Sequence, residues 1–77
     1  MTKDKLLENY EELIWSIIHK VFRDYNINDK EDIAQILRMH LVDKHAEINR
    51  LSKNLKNNIY EYVKGVLYTK TVDIIRM

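Results

Sequence analysis

Three histidines, His19, His40 and His45, are the obvious carriers of acid–base or metal chemistry in this 77-residue chain, and their spacing argues against both. His40 and His45 are five apart, which on a helix does not bring two imidazoles to one ion. His40 falls on an apolar stripe and reads as a satisfied core-edge residue rather than a ligand. The carboxylate pairs Glu11-Glu12 and Glu31-Asp32 are sequence neighbours, so on a helix they diverge and act as solvated or helix-start charge. No glycine-rich phosphate loop and no nucleophile motif is present. Catalysis is not expected, and no cofactor or metal is implied.

Two other sets of residues are suited to binding. In the C-terminal third, Tyr60, Tyr62 and Tyr68 are interleaved with Lys56, Lys64, Lys70 and Arg76. Aromatic platforms for bases and cations for phosphates are what single-stranded nucleic acid requires. Tyr62 also falls on the core stripe of its helix, so a packing role stands beside the binding one. The second set lies in Glu31 to Val42. Read as a helix, Ile33, Leu37, His40, Leu41 and Lys44 form one arc, the spacing of a stripe packed on a core. Asp32, Gln35, Met39 and Val42 fall together on another face that begins polar and turns apolar. A solvated face has little reason to hold Met39 and Val42. Either the domain wraps this helix more fully, or the face docks on another protein's helices; the rest of the chain favours docking.

Length allows one domain, residues 1–77, with a core small enough to be marginal unless a partner covers apolar surface. The chain has no Cys, no Pro and one Gly, which excludes a disulfide framework and removes the usual punctuation of a β protein. No apolar run approaches a membrane span, and the N-terminus lacks a signal-peptide apolar block, so a soluble, cytoplasmic protein is expected. Net charge is +1, unevenly spread. Met1 to Glu47 carries seven basic against ten acidic residues, and Ile48 to Met77 six against two. A basic C-terminal third hints at a polyanion, although a solvated basic face accounts for the charge alone.

The elements that must position these residues are helices. The first is expected over about residues 3–24, where Leu6, Tyr10, Leu13, Ile14, Ile17, Val21 and Tyr25 keep a 3.6-residue period, with Thr2 as N-cap. Trp15 lies off the stripe centre, at the core edge. Asn26-Ile27-Asn28 breaks the helix. A second is expected over about 29–45, capped by Asp29. From Ala46 to Lys56, Ile48 and Leu51 could extend this helix, whereas Asn49, Ser52, Asn54, Asn57 and Asn58 argue for a polar connection; a third helix is expected over about 53–76. Its core stripe is Leu55, Ile59, Tyr62, Val63, Val66, Leu67 and Ile74, with Lys64, Tyr68, Thr71, Val72 and Ile75 on the other side. Gly65, mid-helix at a cost of roughly 1 kcal/mol against Ala, marks either close approach of another helix or nucleic-acid strand, or a tolerated defect.

Three stretches in order resemble the second conserved region of bacterial RNA polymerase sigma factors, particularly the short alternative ones. Tyr10-Glu11-Glu12-Leu13-Ile14-Trp15-Ser16-Ile17-Ile18 is similar to that region's opening helix. Glu31-Asp32-Ile33-Ala34-Gln35 matches the acidic-Asp-apolar-x-Gln signature of its polymerase-binding helix. Ile59 to Arg76 ends in Val72-Asp73-Ile74-Ile75-Arg76, similar to the family's closing aliphatic-Asp-x-x-Arg. The resemblance covers nearly the whole chain. It implies an all-α, three-helix domain of the sigma region-two type. Asp32, Gln35, Met39 and Val42 would then dock on the clamp-helix coiled coil of the RNA polymerase β′ subunit. Lys56, Tyr60, Tyr62, Lys64 and Tyr68 would contact promoter DNA at the minus-ten element, where flipped bases are read in protein pockets. The segment from Asn49 to Lys56 would shape such a pocket.

The pattern departs from the family at three places. Ile36 stands where Glu usually follows the Gln, Tyr62-Val63 replaces the usual Trp-Leu pair, and Tyr68-Thr69 replaces Arg-Asn. The chain also ends at Met77, without a helix-turn-helix region for the minus-thirty-five element. It therefore reads as an excised domain or as a stand-alone piece resembling one half of a split sigma factor, with a second sigma-like chain supplying upstream contacts. The expectation from another class is a small helical adaptor or anti-factor that binds protein through the Met39/Val42 face and does not touch DNA.

Overall fold

The computed structural model describes residues 2–55 and 58–76, and among them every regular element is helical. Four helices follow in order: α1 (Lys3–Val21), α2 (Ile27–Asp43), α3 (His45–Leu55) and α4 (Ile59–Arg76). The expected three are thus four, with different boundaries.

α1 starts where expected. The Thr2 hydroxyl accepts from the Lys5 N–H at 3.1 Å, and Asp4 faces the positive end of the helix dipole. It stops at Val21 rather than at residue 24. Phe22 is already out of helical geometry and sinks into the core, its ring meeting Tyr25 edge-on at 5.1 Å. That contact turns the chain before Asn26. Asn26, not Asp29, caps α2: its Oδ1 accepts from the Asp29 N–H at 2.8 Å. Asp29 sits three residues inside the cap and contributes negative charge in the first turn.

α2 and α3 meet at a break of one residue. The Lys44 N–H bonds back to the His40 and Leu41 carbonyls, and the Lys44 carbonyl takes the Ile48 N–H at 2.9 Å. The segment expected as a polar connection is therefore mostly the helix α3. Its asparagines are weak helix formers, but Ile48 is fully buried, and tertiary burial of that one side chain outweighs a few tenths of a kcal/mol of propensity per residue. Local hydrogen bonds take up the polar side chains. Ser52 donates to the Asn49 carbonyl at 2.8 Å, and the Asn49 amide meets His45 Nε2 at 3.0 Å.

One core joins the helices. Leu6, Tyr10, Leu13, Ile14, Ile17 and Ile18 of α1 pack with Ile33, Ala34, Leu37 and Leu41 of α2, Ile48 of α3, and Val63 and Leu67 of α4. The expected stripe on α4 is corrected at three positions. Val66 is half-buried beside a surface groove and is not part of the core, while Tyr68, assigned to the outer side, packs against the core partly buried. Thr71, assigned to the outer side, is 1% exposed, continuing the Val63–Leu67 line at the next i+4 step, and its hydroxyl donates to the Leu67 carbonyl at 2.8 Å. That bond removes the cost of burying an unpaired hydroxyl, so Thr behaves as an apolar residue there. Ile59, Tyr62 and Ile74 pack against the core partly buried. Trp15 is half-buried at the core edge, as expected.

Candidate docking site

The face of α2 that bears Asp32, Gln35, Met39 and Val42 is not wrapped by the domain. Asp32 and Gln35 are exposed, Val42 is half-buried, and Met39 is 66% exposed. The opposite side of the helix, through Ile33, Ala34, Leu37 and Leu41, takes the core. Gln35, Met39 and Val42 join Leu7 of α1, together with Arg38 and Asp43, around a groove of about 270 Å³. Asp32 stands one turn before it and does not line it. A second groove, of about 210 Å³, lies on the other flank of Met39, between Ile36, His40 and Asp43 of α2 and Lys70 of α4. Met39 is therefore a ridge with a groove on each side, the relief that a helix surface presents to packed helices.

A hydrogen-bonded chain of side chains holds this face. Arg38 Nε donates to both Glu11 oxygens, at 3.2 and 3.1 Å, and Arg38 Nη2 also donates to Oε1. Trp15 Nε1 donates to the same carboxylate at 3.0 Å. At the other end of the guanidinium, Arg38 Nη1 donates to Gln35 Oε1 at 3.2 Å. The Arg38 hydrogen bonds hold the Glu11 carboxyl below its ordinary value, against a smaller opposing effect of burial. Glu11, Arg38 and Leu7 were not anticipated as part of the site. Arg38 is three residues from Gln35 and so a helical neighbour. Glu11 is 27 residues from Arg38, and no local pattern points to it.

The residues expected to contact DNA do not form one surface. Tyr60, Lys64 and Tyr68 recur at i, i+4 and i+8, one line along α4 that begins where the Tyr60 ring, 48% exposed, meets Tyr10 of α1 at 6.3 Å. Tyr62 lies roughly 200° round the helix from Tyr60. Its hydroxyl donates to Glu47 Oε1 of α3 at 2.7 Å. This bond to a carboxylate raises the Tyr62 pKa and lowers that of Glu47, which also faces Lys44 at 3.7 Å. Lys56 lies outside the described residues. The base pocket expected between Asn49 and Lys56 is instead α3 as far as Leu55.

Tyr62 lines a groove of about 450 Å³ with His40 of α2, Lys44 at the break after it, and Gly65, Val66 and Thr69 of α4. A Cβ built on Gly65 would meet nothing within 4 Å, so the glycine does not mark close approach of another of the described helices. His40, between two of the grooves, has its pKa lowered first by burial and then by Lys70 and Lys44. Among the described residues no group of three or more His, Asp or Glu side chains is placed to hold a metal ion. Among them also, no helix is long and apolar enough to cross a membrane. No protein-family model matches the chain, and neither does any curated protein or solved structure.

Proposed function

We propose that this chain is a transcription initiation module of the sigma region-two type. It binds the β′ clamp helices of RNA polymerase through the outer face of α2, and it presents the exposed side of α4 to the melted minus-ten element. A second sigma-like chain supplies upstream DNA contacts. The observation that carries the reading is the outer Asp32–Gln35–Met39–Val42 face of α2, where Met39 is 66% exposed and stands as a ridge between two grooves. The order of the three resembling stretches adds to it. The test is binding of the chain to a β′ clamp-helix fragment. Asp32→Ala/Gln35→Ala should weaken it by roughly 1–3 kcal/mol, the cost of lost interfacial hydrogen bonds to charged groups. Unchanged affinity in the double variant would sink the assignment of this face.

One observation favours the second reading, a protein-binding adaptor that leaves DNA alone. Tyr62 is turned away from Tyr60, Lys64 and Tyr68 and spends its hydroxyl on Glu47. Binding to a minus-ten single strand that weakens with salt, with a slope set by a few phosphates, supports the sigma reading. Absence of affinity for that strand, with polymerase present, supports the adaptor.

A further inference from the structure

One residue that lines the groove on α2 is also tied to the neighbouring helix α1. We infer that Arg38, anchored on Glu11, is a positioning residue for the docking face: it takes the carbonyl end of Gln35 and turns the amide –NH2 outward, so that the partner group opposite Gln35 is a hydrogen-bond acceptor, a carboxylate or an amide carbonyl. This rests on the docking reading above.

The orientation follows from donor and acceptor chemistry. Arg38 Nη1 is 3.2 Å from the Gln35 side-chain oxygen. A guanidinium has only donors, so the amide end that meets it must be the oxygen. The –NH2 end is then uncommitted among the described residues, on an exposed side chain beside Met39. Arg38 can impose this because it is itself fixed. Its fork is bonded to both Glu11 oxygens from the neighbouring helix, and the Trp15 indole N–H occupies the same carboxylate. A glutamine held in one arrangement binds at lower entropic cost than a free one. Asp32 and Asp43, on the same helix, are acceptors when ionised. Gln35 is thus a donor set between acceptors, which fits a partner helix that alternates cations with acidic or amide groups.

Trp15 is the only Trp and gives a distinct indole N–H resonance, while Gln35, the only Gln, is told apart from the asparagine side-chain amides by the signal pair lost in Gln35→Ala. In the full chain, lowering the pH through the protonation of Glu11 should move the Trp15 indole and Gln35 amide signals together, with one midpoint below the ordinary glutamate range. In Glu11→Gln neither should titrate in that way. A Gln35 signal that stays still while Trp15 moves overturns the positioning role, whatever the partner does.

Titration with the β′ clamp-helix fragment supplies the second arm. Glu11→Gln should weaken binding roughly two- to tenfold by releasing one side chain, and should add little on top of Gln35→Ala. Gln35→Glu, which offers only acceptors, should bind more weakly than Gln35→Ala; tighter binding than wild type would show that the partner presents a cation there and overturn the inference. A wild-type chain that does not bind overturns the docking reading and Gln35's part in it, while the coupled resonances still decide whether Glu11 controls Gln35 through Arg38.

Discussion

The outer face of α2 and the exposed side of α4 are the two surfaces expected to meet partners, and they are built in different ways. On α2, Gln35, Arg38, Met39 and Val42 share a groove with Leu7, and a bonded chain runs from Gln35 through Arg38 and Glu11 to Trp15. Two helices cooperate in that surface. On α4, the corresponding side chains are drawn apart. Tyr60 leans on Tyr10 of α1, while Tyr62 is bonded to Glu47 of α3. Tyr60, Lys64 and Tyr68 follow one line, with Tyr68 packed separately against the core. Preorganisation of a surface comes from side chains fixed relative to one another, and by that measure the α2 face is the more ordered of the two.

The largest effect tests what both surfaces share. Leu37 is fully buried under α2, and Leu37→Ala should cost about 2–5 kcal/mol of unfolding free energy in denaturant titration. In a domain of this size that removes most of the stability, so both binding activities should fall together. A variant that kept one activity would show that the two surfaces do not depend on the same core.

Smaller effects should separate them. Glu11 is ionised more readily in the folded state than in the unfolded one, so its contribution is present above the unfolded glutamate range and is lost as pH falls through the lower folded value. Glu11→Gln should flatten that acid limb by about 0.5–1 kcal/mol, a figure discounted for a pair about a third exposed. The α4 side should be unaffected.

Gly65 provides the opposite sign. With open space around its would-be Cβ, Gly65→Ala should raise thermal stability by about 0.5–1 kcal/mol, through helix propensity and a less flexible unfolded chain. A loss of stability would mean that the groove beside Tyr62 is tighter than the geometry indicates.

His40 should have the slightest effect. Its folded pKa is lowered, so the full contribution is present above the unfolded histidine range and is lost as acidification carries a proton onto a ring facing Lys70 and Lys44. His40→Gln should remove a shallow step in stability just below neutral pH, in a window distinct from that of Glu11. The two grooves on the α4 flank of α2 would then be separable from the Gln35 groove by pH alone.

Much of α1 and α2 was legible in the residue spacing. Leu6, Tyr10, Leu13, Ile14 and Ile17 keep their period and are buried, and so are Ile33, Leu37 and Leu41. Val21 and Tyr25, expected on the same stripe, are exposed, because α1 ends at Val21 and Phe22 takes the place in the core. Thr2 caps where expected because its hydroxyl needs only the next turn. Asp32, Gln35 and Met39 are exposed together on one face, because i, i+3 and i+7 positions share a side of any α-helix. Local rules sufficed wherever the deciding contact lay within a turn or two.

Elsewhere the decision lay outside the segment. Asn26 took the cap expected of Asp29 once Phe22 went into the core and the chain turned early. α3 is a helix because Ile48 has a core to enter, which its polar neighbours do not announce. Thr71 is inside because the line from Val63 and Leu67 carries it there, with its hydroxyl satisfied by the helix backbone. The Glu11–Arg38 pair joins residues 27 apart. Residue spacing was enough for a helical chain and for the apolar periodicity of its first two helices, since both depend on side chains a few residues apart. Which polar side chains meet, and so which face is held rigid, was settled by packing, because hydrogen bonds between helices exist only once their distances are set.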